Sequence, residues 1–188
     1  MELAQRTQEK KEGTLRQLTL NEITLARKVF GGAIAYARVW VHCDSYLPFG
    51  LQDSRTAMAP NGELWFRKEL YEHDFGKSTH SIAIRHLFIH EMSHVWQHQH
   101  GQWVRLRGAF SWAANYTYDL NEKKTLTDYS LEQQAQIIAD YYILSNYGYG
   151  EWEYQKNNRR LVTYIGKLRG RQLLSLYQKT LFRFTSGR

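Results

Sequence analysis

Apolar residues keep no regular spacing over residues 1–18, and this polar, charged stretch reads as a leader or linker. A helical period starts in TLNEITLARKVF, where Ile23, Ala26, Val29 and Phe30 share a face. Thr19 stands three residues before Glu22, the spacing of a capping box, and Gly31 and Gly32 halt the helix. The segments ARVWVH and GELWFRKEL then favour strand, and APNG, from Ala59 to Gly62, carries turn formers. A small β-ribbon is the expectation. From about Ser81 to Gln99 there is neither Pro nor Gly, Ile84, Leu87, Phe88 and Val95 keep helical spacing, and Gly101 is placed to end a helix. Ser130 and Gln133 form a second capping box and open a helix that runs to Gly148. Two more helical segments are predicted, around Glu151 to Leu168 and Arg171 to Phe184. The pattern predicts an α+β, mostly helical fold, with residues 19–188 as a single domain.

Composition narrows the function classes. A chain of 188 residues, 43% hydrophobic and 14% aromatic, can bury one good core. No apolar run is long enough to span a bilayer, and the first residues, MELAQRTQEKKEGT, lack the apolar centre of a secretory signal. A protein made in the cytoplasm with this sequence would be secreted only by a route that reads no such signal. Cys43 is the only cysteine, which excludes an internal disulfide and a Cys-based zinc site. Any metal must rest on His, Glu or Asp. The net charge of +7 comes from the basic helical segment beyond about residue 156, which has no Asp or Glu. A solvated helix face accounts for this charge, so nucleic acid is not the expected partner; a polyanion-binding module with a structural metal is the alternative.

The stretch HLFIHEMSHVWQHQHG interrupts an apolar run with histidines. Residues four apart lie one turn apart on a helix, so His90 and His94 can turn both imidazoles toward one ion, with Glu91 beside them. This His-Glu-x-x-His spacing suits Zn²⁺, which activates water while the glutamate takes its proton. Buried without partners, three such polar groups would be costly. His86 and His98 continue the row, but drift around the helix leaves them as bystanders.

A third ligand is required for catalytic zinc. His100 has the metzincin spacing, but Gln97 occupies the position where that pattern needs a turning glycine. Glu132, in the first turn of the next predicted helix, follows the gluzincin plan and is favoured; Asp128 and Asp119 are further candidates. Asp140, two turns beyond Glu132, is a candidate to accept a ligand histidine's free N–H. Tyr116, Tyr118 and Tyr129 are candidate oxyanion donors, among which the sequence does not choose.

In order, NGELWF, FIHEMSHVWQHQHG and LEQQAQIIADYY resemble the zincin metallopeptidase domain found at the C-terminus of some valine–glycine-repeat spike proteins of bacterial type VI secretion systems, and in free-standing relatives. The resemblance spans roughly residues 20–145. It implies an antibacterial toxin with zinc held by His90, His94 and Glu132 and with Glu91 catalytic. It also implies spike-mediated delivery into a neighbouring cell and a cognate immunity protein. The expected activity is hydrolysis of a peptide or protein substrate, with the target-cell periplasm as the expected place of action and its cytoplasm as the alternative. Hydrolysis of peptidoglycan stem peptides is the alternative within the same chemistry, and the "ELWF" strand is the expected edge for an extended substrate.

Overall fold

In the computed structural model, which describes residues 9–102, 115–182 and 184, Thr19 and Glu22 close their capping box and start α1 (Leu20–Phe30). Glu22 does more than cap. Fully buried, it accepts two 2.8 Å bonds from Arg16 and further bonds from the backbone N–H groups of Thr19 (2.8 Å) and Phe75 (2.9 Å). Arg16 lies in β1 (Thr14–Gln17), within the stretch read as leader, and β1 pairs antiparallel with β2 (Trp40–Cys43). The strand lacks an apolar signature because it is a sheet edge whose side chains are mostly exposed. Backbone pairing and ions hold it instead: Glu12 meets Arg67 at 2.6 Å and Lys10 meets Glu72 at 3.0 Å. Glu22→Ala leaves the Arg16 guanidinium without its carboxylate and is expected to lower stability by about 3 kcal/mol, measured by urea denaturation.

The sheet continues with β3 (Ala57–Met58) and β4 (Leu64–Phe66), in the order β1-β2-β4-β3. The two predicted strands are indeed neighbours, but β2 and β4 run parallel; the hairpin partner of β4 is β3, too short to show alternation in the sequence. The strand carrying "LWF" is therefore interior, and β3 is the edge on that side. Alternation buries Val41, Cys43, Leu64 and Phe66 in the core, while on the opposite face His42 and Trp65 stack 3.6 Å apart. Gly62 has a φ of 80°, and a Cβ there would lie 2.5 Å from the His98 ring, so the hairpin turn sits directly on α2 (Ile82–Gln99).

Ser81 caps α2 and Gly101, with a φ of 76°, closes it. Phe88, Ile89, Met92 and Val95 are its fully buried apolar residues. Packed along it is α3 (Leu131–Asn157), opened by the anticipated Ser130–Gln133 box and interrupted at Gly148, whose φ of 84° and ψ of 172° leave the helical region. The segment predicted from Glu151 is the continuation of α3, and it stops at Asn157 instead of reaching Leu168. Beyond it the chain turns back and Tyr164 forms a parallel bridge with Tyr118. Finally, α4 (Gly170–Thr180) buries Leu173, Leu176 and Tyr177 while leaving Arg171 and Lys179 in solvent. The basic segment thus completes the core with its apolar side. The described residues form an α+β fold of four α-helices and a small mixed sheet, and none of these helices is long and apolar enough to cross a membrane.

Candidate metal centre

Helical spacing brings His90 and His94 to one side of α2, and the first turn of α3 brings Glu132 to meet them. Glu132 Oε2 lies 3.1 Å from His94 Nε2 and 3.4 Å from His90 Nε2, and the three donor atoms all fall within 4.8 Å of one another. Two imidazoles and a carboxylate are the donors a borderline-soft cation such as Zn²⁺ accepts. The electrostatics of the three groups is mutual. Burial alone would depress both imidazoles, yet the hydrogen bond and charge of Glu132 raise His94 to about 9, while burial prevails at His90 and lowers it. Glu132 pays a burial cost too, but its two histidine partners hold it well below the usual carboxylate range. The Glu132 carboxylate thus favours positive charge where the three donor atoms converge.

The outer contacts of the ligands differ from expectation. His94 Nδ1 is 2.7 Å from Gln97 Oε1, the arrangement in which the ring N–H donates to the amide and leaves Nε2 free to ligate. The Gln97 amide nitrogen in turn donates to the Leu131 carbonyl (2.9 Å) and to Gln134 Oε1 (3.3 Å), so one fully buried residue orients a ligand on α2 and ties it to the start of α3. Asp140, the candidate for supporting a ligand histidine, supports His86 instead, at 2.8 Å. It is fully buried and also accepts from Gln136 (2.9 Å), Tyr118 (2.7 Å) and the Thr163 N–H (3.1 Å); the Tyr118 hydroxyl also bonds that of Tyr177. Consequently His86 is buried at the cleft and not a surface bystander.

Glu91 is buried beside the three donors, and among the described residues its Oε2 has no hydrogen-bond partner. Burial raises its carboxyl to about 7, against the opposing pull of His94. An orphaned buried oxygen next to a convergent His₂Glu set is what a site built around a cation and a reacting molecule would leave. Glu91 and His90 line a cleft of about 680 Å³, together with Met58 of the edge strand, Tyr116 and Leu161. Of the three tyrosines, Tyr116 alone lines this cleft, its ring 5.9 Å from that of His90; Tyr129 donates to the Asp119 carbonyl (2.9 Å) and Tyr118 to Asp140. His100 is exposed and bonded to the Trp96 carbonyl at 2.8 Å, away from the three donors, and Asp128 caps its own turn through Thr125. Neither they nor Asp119 join the donor group among the described residues.

A solved structure, the effector domain of Pseudomonas aeruginosa VgrG2b, superposes on this chain with a TM-score of 0.63 and 39% identity, covering 79% of this chain and 83% of that one. The chain belongs to the VgrG2b effector-domain family. A curated relative, the type VI secretion system spike protein VgrG2b of Pseudomonas aeruginosa, is 43% identical over 137 residues, 70% of this chain. The match spans only 13% of the spike protein's length. No protein-family model matches the chain. In this member of the VgrG2b effector-domain family, the residue that pattern reading missed is Gln97. Treated only as a position lacking glycine, it lies three residues after His94 on the same helical side, and that spacing is the signal that would have found it.

Proposed function

We propose that this member of the VgrG2b effector-domain family is a zinc-dependent, zincin-like metallopeptidase acting as a type VI secretion effector, with His90, His94 and Glu132 as the zinc ligands. The convergence of these three donors beside the orphaned Glu91 carboxylate carries the reading. Bound there, zinc supplies a Lewis acid that polarises the scissile carbonyl and acidifies water. The chain supplies the rest. Glu91 takes the proton from the attacking water and returns it to the leaving nitrogen, a task suited to a carboxyl near 7 before any cation is bound. Tyr116 donates toward the developing oxyanion from the cleft wall, and burial together with the Glu132 and Glu91 charges keeps its phenol protonated. Among the described residues no strand pairs with the outer side of β3, and that edge offers backbone groups to an extended peptide, in place of the interior "LWF" strand.

Family membership supports delivery with a secretion spike; the proposal adds an immunity protein in the producing cell and action in the target-cell periplasm. Two substrates distinguish the chemical variants: unfolded protein and purified sacculi, each incubated with zinc-loaded protein and assayed for new amines. Release from neither overturns the hydrolase reading. Gln97→Met removes the brace on His94 and is expected to weaken zinc binding about 10–100-fold, read by competition with a chromogenic chelator, with activity recovering in excess zinc.

A further inference from the structure

The cleft wall holds a cation that this hydrolytic chemistry does not use. Arg160 lies in the turn after α3, is exposed, has a φ of 53°, and lines the cleft beside Leu161 and Gln136. Left-handed backbone at a helix end ordinarily carries glycine, since a Cβ crowds the neighbouring carbonyl. Backbone preference therefore argues against arginine here, and a non-glycine residue kept in that conformation at a cleft calls for a use.

The turn is firmly held. The Leu161 N–H donates to the Gln155 carbonyl (3.0 Å), and the Leu161 carbonyl accepts from Gln136 (2.9 Å), the same amide that reaches Asp140. Two residues on, the Thr163 N–H donates to Asp140 and the Thr163 hydroxyl to the Tyr116 carbonyl (2.7 Å). The other arginine of the cleft, Arg55, has Asp53 at 3.5 Å. Among the described residues Arg160 has no ion-pair partner, and the only other acidic group lining the cleft is Glu91, at the reacting position. An unpaired guanidinium carried on a held turn offers a planar fork that matches a carboxylate.

Resting on the peptidase reading above, we infer that Arg160 selects substrates that carry a carboxylate near the scissile amide. An acidic side chain of a protein and the free α-carboxylate of a glutamate in a peptidoglycan stem peptide share this chemistry.

Binding is measured by fluorescence anisotropy on zinc-loaded Glu91→Gln protein, which keeps the readout independent of turnover. One pair of labelled probes is a linear peptide with a central glutamate and its glutamine twin; the other is a stem peptide with a free α-carboxylate and its amidated form. In at least one pair the carboxylate form binds about tenfold tighter at low salt, and added salt erodes the preference. The pair that shows it identifies the source. Adding Arg160→Gly removes the guanidinium while relieving the left-handed strain, so the preference is lost with the melting temperature unchanged or higher; Arg160→Lys retains part of it. Equal binding within both pairs, absence of binding, or a preference that survives Arg160→Gly overturns the assignment. Hydrolysis by wild type is scored separately: turnover without a carboxylate preference sinks this inference alone, and a preference without turnover sinks the peptidase reading alone.

Discussion

Glu91→Gln is expected to reduce peptide hydrolysis by about 10²–10⁴-fold while zinc stays bound at one ion per chain. It is also expected to make the metal-free protein more stable, and the two effects share a cause. The Glu91 carboxyl is buried with an oxygen that no described residue satisfies, and its pKa rises from 4.5 to about 7. A carboxyl raised on folding binds more protons in the native state, so it lowers stability progressively as pH climbs from about 4.5 to 7. Above that window the charged form costs about 3 kcal/mol. At pH 8 the glutamine variant should therefore melt several degrees higher than wild type, both without metal. A dead variant of unchanged or lower melting temperature would mean that Glu91 is held by contacts other than those described; undiminished hydrolysis would remove it from the mechanism.

Glu132→Ala is expected to abolish zinc binding and hydrolysis together, by elemental analysis and amine release, whereas His100→Ala leaves both intact. Retained zinc in Glu132→Ala would refute the ligand set. The metal-free proteins give an independent check through His94. Its pKa is raised from 6.5 to about 9 because the Glu132 hydrogen bond and charge outweigh burial. The stabilisation from that raised pKa is fully present below about 6.5 and disappears as pH rises through 9. At pH 6 wild type should exceed Glu132→Ala by about 3 kcal/mol, and the gap should narrow toward pH 9.5.

Much of the architecture was legible because it depends on local chemistry. The boxes at Thr19–Glu22 and Ser130–Gln133, the terminating Gly101 and the turn before Gly62 are short-range signals, and each sits at the element end it announced. The spacing of His90, Glu91 and His94 needs only a helix, and the first-turn position of Glu132 needs only a second helix packed against it. What escaped reading depends on partners distant in sequence. Nothing in Thr14–Gln17 declares a strand, because its backbone is satisfied by β2 and its arginine by Glu22. Asp140 was placed on the correct side of its helix, but which histidine it meets is decided by the axial offset of α2 against α3, and that offset selects His86. Gln97 looked like a missing glycine, since its role exists only once the Leu131 carbonyl is beside it. The segment after Lys156 announces its solvated basic face through its cations, while the apolar residues that the core takes in are less conspicuous.

The Asp140 cluster has a consequence for when the site comes into being. It binds α2 through His86 and the cleft wall through Gln136 and Thr163, and it reaches α4 through the Tyr118 and Tyr177 hydroxyls. A chain emerging from the ribosome presents His90, His94 and Glu132 well before Tyr177. Until α4 arrives, the Tyr118 hydroxyl and the Tyr164 ring beyond the wall turn lack Tyr177, which both meet in the folded protein. Ligand residues and a finished cleft are therefore separated in synthesis, and a nascent chain holds the first without yet having the second.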